Sequence, residues 1–180
     1  LSLTVLATAM TGAQSAPTSV SFQDAAFVPS TAQAALLARA RAAGATELAP
    51  SAGPDGGMIV NGNLAGRAFV LTLPPNWTGE MVLFGQGYSL PGGTPTVPRD
   101  PIAQDPGGGL FKHLYAEGVA SGIAAFDKTG IATESGARNS IRLRALAQQL
   151  GATRFYAVGG SMGGSIVMAL IERYPRKFSG

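Results

Sequence analysis

Cysteine is absent from this chain, which excludes disulfide frameworks, thiolate metal sites and cysteine nucleophiles. Histidine occurs once, as His113, so chemistry that needs an imidazole has one candidate in these residues. No spacing of metal-ligating side chains occurs anywhere, and neither a metal nor any other cofactor is expected. Only 13% of the residues are charged, and the net charge of +3 comes without any Lys/Arg run. The basic residues stand singly apart from Arg39/Arg41, Arg142/Arg144 and Arg176-Lys177. That pattern leaves no stripe to follow a phosphate backbone, and nucleic acid is not an expected partner. Long hydrophobic runs are missing too. The uncharged stretch LSLTVLATAMTGAQSA at 1–16 is too short to span a bilayer.

What remains is 180 residues, 46% hydrophobic, with 25 Gly and 12 Pro. Such a chain is loop-rich without being low-complexity, and it is long enough for one domain with a substantial core. Residues 1–16 end in small side chains before Pro17, as the apolar and cleavage regions of a secretory signal do. They are read as a signal peptide that lacks its basic start, which places the mature protein outside the cytoplasm, secreted or periplasmic. Residues 17–56 read as an N-terminal helix followed by a Pro/Gly loop. Residues 57–180 carry the patterned elements.

Ser30 or Thr31 is placed to cap the Ala-rich helix AQAALLARARA, which stops at Gly44. The loop LAPSAGPDGG comes next, then a predicted β-hairpin of MIVNGN and GRAFVLTLP about Asn63-Leu64-Ala65-Gly66. From there strand and helix alternate. EMVLFGQG, VASGIAAFD and RFYAVGG read as strands; LFKHLYAEG, ARNSIRLRALAQQLG and SMGGSIVMALIERYP read as helices. Alternation of this kind predicts an α/β architecture, a mostly parallel sheet with crossover helices on both faces. The helix of the 140s has one apolar side and sets Arg142, Arg144, Gln148 and Gln149 opposite. The last helix is apolar nearly all round and is expected to be buried until Glu172 and Arg173.

Gly159-Gly160-Ser161-Met162-Gly163 is a G-x-S-x-G sequence between a predicted strand and a predicted helix, the context of a nucleophile elbow. There the chain reverses within a few residues, holds the Ser in strained geometry above the sheet, and needs small residues two before and two after it. Met162 opens the helix, so its N–H is free of the helix's own bonds and is aimed where an oxyanion would form. A phosphate cradle fits less well, because the glycine spacing of the dinucleotide and P-loop fingerprints fails here. A purely structural turn is the other reading. A second oxyanion donor is expected in the loop after EMVLF, best the N–H of Tyr88 with Gly87 beside it; Pro91 spoils a dinucleotide reading of GQG. The alternative for that loop is a mobile surface segment.

With these pieces in order, the chain resembles the α/β-hydrolase superfamily, in particular its secreted bacterial members. The resemblance rests on Leu73-Pro74-Pro75-Asn76-Trp77-Thr78-Gly79, on Val82 through Tyr88, on residues 118–130 and on residues 159–164, and it covers the chain from about Gly57. It implies an α/β-hydrolase-type sheet and a serine hydrolase activity. Two departures stand out. Gln86 occupies the position where such relatives have His, and the triad's acid and His, which the superfamily places after the Ser, have no counterpart. The 19 residues after Ser161 hold Glu172 and no His.

His113 lies on a helix expected over a sheet face, away from the strand ends. Asp127, at the end of a strand, is expected to orient loops, and Asp100 and Asp105 to be solvated loop charges. The expectation is therefore an incomplete chain, open at both ends and ending before the last strands of the sheet. It is read as the amino-terminal part of an exported hydrolase that cleaves a carboxylic ester, small or polymeric, through Ser161 with the Met162 and Tyr88 N–H groups. The fragment alone is expected to be inactive. A peptidase of the same fold and a catalytically silent binding module are the alternatives. Trp77, inside the sequon Asn76-Trp77-Thr78, is expected to pack, and Gly107-Gly108-Gly109 to turn the chain into a helix.

Overall fold

The computed structural model describes residues 27–179; the expected signal at 1–16 lies outside them. Helix α1 (Thr31–Ala42) starts at Ser30, whose hydroxyl accepts the Gln33 N–H at 3.3 Å while Gln33 Oε1 accepts the Ser30 N–H at 2.9 Å. This reciprocal pair satisfies two donors that a helix start leaves unpaired. Gly44, at φ +91°, ends the helix as expected.

The first half of the anticipated Pro/Gly loop is instead strand β1 (Ala45–Ala52). It pairs antiparallel with β2 (Met58–Leu64), with a bulge between Thr46 and Ala49 where Glu47 takes φ +51°. Pro50 is tolerated because β1 is an edge strand among the described residues, with no neighbour there on one flank. A single 3-10 turn at Pro54–Gly56 makes the rest of that segment. Strands β2 and β3 (Arg67–Leu73) form the expected hairpin, from Leu64↔Arg67 to Met58↔Leu73. Its two turn residues, Ala65 and Gly66, both have positive φ, as a two-residue loop between right-twisted strands requires.

The remaining elements are β4 (Glu80–Gly85), α2 (Pro101–Gln104), α3 (Leu110–Ala116), β5 (Ala120–Ala124), α4 (Thr133–Leu150), β6 (Arg154–Gly159) and α5 (Met162–Arg173). Among the described residues the sheet has six strands in the order β1-β2-β3-β5-β4-β6. It is mixed. The hairpin strands and β5 pair antiparallel, whereas β4 runs parallel to both β5 and β6. The α/β architecture anticipated from the sequence is present, but the sheet expected to be mostly parallel is mixed, because the β2–β3 hairpin and the edge strand β1 extend it antiparallel and confine the parallel part to β5-β4-β6.

That parallel part fixes where a site can form. The chain leaves β4, returns through α2 and α3 to β5 on one side, then crosses through α4 to β6 on the other side of β4. Right-handed crossovers in opposite directions place their helices on opposite faces. Accordingly, Phe111 and Tyr115 of α3 pack with Ile59, Val70 and Ile123 on one face. On the other, Leu37 and Ala40 of α1 and Leu143, Leu146 and Leu150 of α4 pack with Phe69, Leu71, Leu83 and Phe155. The strand order reverses about β4, and the crevice beyond the carboxyl ends of β4 and β6 is the place where such sheets bind ligands.

The main core lies between α4 and the sheet. Leu143, almost fully buried, meets the Leu71 and Leu83 side chains over Gly122. Leu143→Ala is expected to cost about 2–5 kcal/mol, measured by equilibrium urea denaturation. Trp77 packs against this core and donates its indole N–H to Glu80 O at 2.8 Å, the packing role expected of it.

Three expectations change. Helix α5 is not buried all round: Met168 and Ile171 are 58% and 41% exposed. Arg144 does not project away from the core; its guanidinium lies 4.2 Å from the centroid of the Phe155 ring, a cation–π contact that explains its partial burial. Asp100 and Asp105 are not merely solvated charges. Asp100 caps α2 by accepting the Ile102 and Ala103 N–H groups, both at 2.9 Å, and Asp105 accepts the Gly109 N–H in the turn before α3.

Candidate active site

Ser161 sits where β6 gives way to α5, with φ 54° and ψ −128°. Such a backbone costs about 1–3 kcal/mol and survives only where the surroundings enforce it. Here glycines enforce it. A Cβ on Gly159 would collide with the Gly163 carbonyl group, and a Cβ on Gly163 would collide with the carbonyl oxygen of Gly85. A Cβ on Gly85 would in turn lie 2.9 Å from Gly163 O. The ends of β4 and β6 and the start of α5 are thus in backbone contact. The motif identifies Gly159 and Gly163; Gly85 is a third required glycine that the motif does not include. It stands at the end of β4 in register with Gly159, a relation no sequence pattern marks.

This close approach leaves Ser161 exposed, with no capping bond from its side chain. Gly163 N–H donates to Gly160 O at 2.8 Å and Gly164 N–H to Ser161 O at 3.0 Å. The Met162 N–H, first of the helix, has no acceptor among the described residues. A free donor at the positive end of a helix dipole can stabilise a developing negative charge.

The loop after β4 begins directly over the start of α5, since Gln86 O lies 3.2 Å from the position of a Cβ on Gly163. Gln86, in the place of the His expected from relatives, donates its amide to Thr96 O at 3.2 Å and closes the loop on itself. The Tyr88 N–H likewise has no acceptor among the described residues, and open space surrounds Gly87. This loop is tied down on its far side. Ser89 and Gly130 form an isolated bridge with Gly130 N–H to Ser89 O at 2.9 Å, and Gly92 N–H donates to Thr129 Oγ1 at 3.1 Å.

The segment that holds it, between β5 and α4, also holds Met162, whose Sδ accepts the Ala132 N–H at 3.3 Å. Asp127 anchors this segment. Its carboxylate accepts from Arg67 Nε at 2.9 Å, Asn139 Nδ2 at 3.0 Å and Arg138 Nη2, and its N–H donates to Ser135 Oγ at 3.2 Å. The role expected of Asp127, orienting loops, matches these contacts. The Asn139 hydrogen bond first, then the Arg138 and Arg67 guanidiniums, hold its carboxyl below the ordinary value of 3.8. A carboxyl whose pKa is lower in the folded chain contributes stability above its unfolded value, and that contribution disappears as pH falls through the folded value. Stability is therefore expected to drop as the pH is lowered past about 3.8, and this part of the drop is expected to vanish in Asp127→Asn. Urea denaturation at successive pH values measures it.

The structure does not bring the other titratable candidates to Ser161. His113 is exposed on α3, the helix that covers the face opposite α4, and Glu172 is exposed near the far end of α5. Among the described residues no group of His, Asp and Glu is arranged to hold a metal ion.

No protein-family profile matches this chain, and no curated protein matches it. Solved structures with a related arrangement include EstE5 (TM-score 0.47, 14% identity, covering 80% of this chain and 45% of that one). An epoxide hydrolase mutant of Vigna radiata gives 0.44 and 15%, covering 74% and 37%. The rice cell wall degrading esterase LipA of Xanthomonas oryzae gives 0.43 and 18%, covering 72% and 38%. The chain thus spans less than half the length of each of these proteins.

Proposed function

We propose that this chain is the amino-terminal part of an exported bacterial serine hydrolase that cleaves a carboxylic ester, small or polymeric. Ser161 Oγ attacks the ester carbonyl, and the Met162 and Tyr88 N–H groups receive the oxyanion of the tetrahedral intermediate. An imidazole takes the serine proton and passes it to the departing alcohol; water then releases the acyl group by the same steps in reverse order. A base has to reach Oγ within hydrogen-bond distance. His113 is on another face, so the His and its acid partner are assigned to sequence outside these 180 residues. The observation that carries the reading is the strained, exposed Ser161 beside an unpaired Met162 N–H at the strand-order reversal.

One observation favours a second reading, a silent hydrolase-fold binding module: no imidazole lies at Ser161 in this chain. Hydrolysis of p-nitrophenyl butyrate separates the two. The full-length protein is expected to turn the ester over, whereas residues 1–180 alone show no appreciable turnover and poor solubility, with Val158 and Met168 exposed beside edge strand β6. A folded full-length protein without turnover, and without labelling by a fluorophosphonate, would leave the binding module.

A further inference from the structure

We propose that the cleft bounded by α1, the β2–β3 turn and α4 binds an amphiphilic anion, an acid group carried on a short apolar body. The cleft has a volume of about 590 Å³, within the range of small-molecule sites. It exists because the facing side chains are short: Ala42 and Ala43 at the end of α1 and Ala145 on α4 do not fill the space between the two helices. Its apolar lining comes from Leu64 and from the methyl groups of Ala42, Ala43 and Ala145 over the buried Leu146, and two arginines, Arg39 and Arg142, line it from different helices.

The charge of these two arginines is unanswered. Arg67, Arg138, Arg154 and Arg173 each pair with a carboxylate. Among the described residues Arg39 and Arg142 pair with none, and neither do Arg41, Arg99, Arg144 and Arg176, but of these six only Arg39 and Arg142 line the cleft. Arg142 donates once, to the neutral Asn139 Oδ1 at 3.2 Å. A guanidinium is a planar fork of donors suited to carboxylate, sulfonate or phosphate oxygens. Two of them beside an apolar lining select a ligand that is charged at one end and greasy at the other. A neutral apolar ligand would leave both charges unused, and a small inorganic anion would leave Leu64 and the alanine methyl groups wet. The cleft lies beside β2, at the other end of the sheet from β6, after which Ser161 stands, so its ligand does not depend on the proposed hydrolysis.

Decanoate is a suitable probe, with decanol and decyltrimethylammonium as neutral and cationic counterparts of equal chain length. Calorimetric titration of the full-length protein at low ionic strength is expected to show one saturable decanoate site and at least tenfold weaker binding of the other two. Arg39→Gln with Arg142→Gln is expected to weaken decanoate at least tenfold. Ala145→Trp, at an exposed helix position, fills the cleft while keeping both charges and is expected to remove binding without changing the urea midpoint. Absence of saturable binding, equal affinity for decanol, or indifference of decanoate to both sets of replacements would overturn the proposal.

Discussion

Ester hydrolysis by the full-length protein is expected to fall about 10⁶-fold on Ser161→Ala, the scale on which loss of a serine nucleophile disables a triad enzyme. The size follows from what the residue does. Without Oγ no acyl intermediate forms, and only oxyanion stabilisation and binding remain to assist direct attack by water. Because Ser161 is exposed and makes no capping bond, its hydroxyl supports no other part of the fold. The variant should therefore keep its urea midpoint while losing turnover, and the loss should appear in kcat rather than in KM. A loss below tenfold would place the chemistry elsewhere.

The second large effect concerns stability and turns on two adjacent glycines. Gly163→Ala is expected to destabilise the protein by about 3 kcal/mol or more, because the new methyl group meets the Gly85 carbonyl at the end of β4. A backbone oxygen fixed at the end of a paired strand cannot rotate aside as a side chain can. Gly164→Ala should do the opposite. A Cβ there meets nothing nearer than Gly159 O at 3.6 Å, and replacing glycine within a helix gains up to about 1 kcal/mol. Urea midpoints of the two variants should move in opposite directions. Equal shifts would mean that strand and helix do not pass as closely as the elbow requires.

These two glycines also show how much of the site the sequence carries. The tight strand-to-helix turn at Ser161 was legible because strain, close packing and a free helix N-terminus all constrain consecutive residues, so they leave a local signature. Gly85 was not included in that signature, because its constraint comes from β6 and α5 packed against it, a relation visible only once β4 and β6 are neighbours. Tyr88, the proposed loop donor, was chosen by position after a strand, and the structure adds what holds the loop: the Ser89–Gly130 bridge and Thr129. Neither tie has a sequence pattern, since each joins residues about forty apart.

For the fold, the buried strands and the amphipathic α4 were readable from periodicity. Strand β1 was not. Its side chains are mostly exposed and it contains Pro50, so neither alternation nor composition marks it, and it is a strand because β2 offers it a pairing edge. Helix α2 is a four-residue turn set by the Asp100 cap, too short for any periodicity. The outer face of α5 misled in the other direction. Hydrophobic residues all round predict burial, yet Met168 and Ile171 are exposed among the described residues.

The most direct measurement of the central claim is the mass of the peptide that carries Ser161 after the full-length protein has reacted with a fluorophosphonate. The account predicts a single adduct, on Ser161 Oγ, formed in step with loss of esterase activity. An unmodified Ser161 in a protein that still hydrolyses esters, or an adduct on another residue that accounts for inactivation, would contradict it.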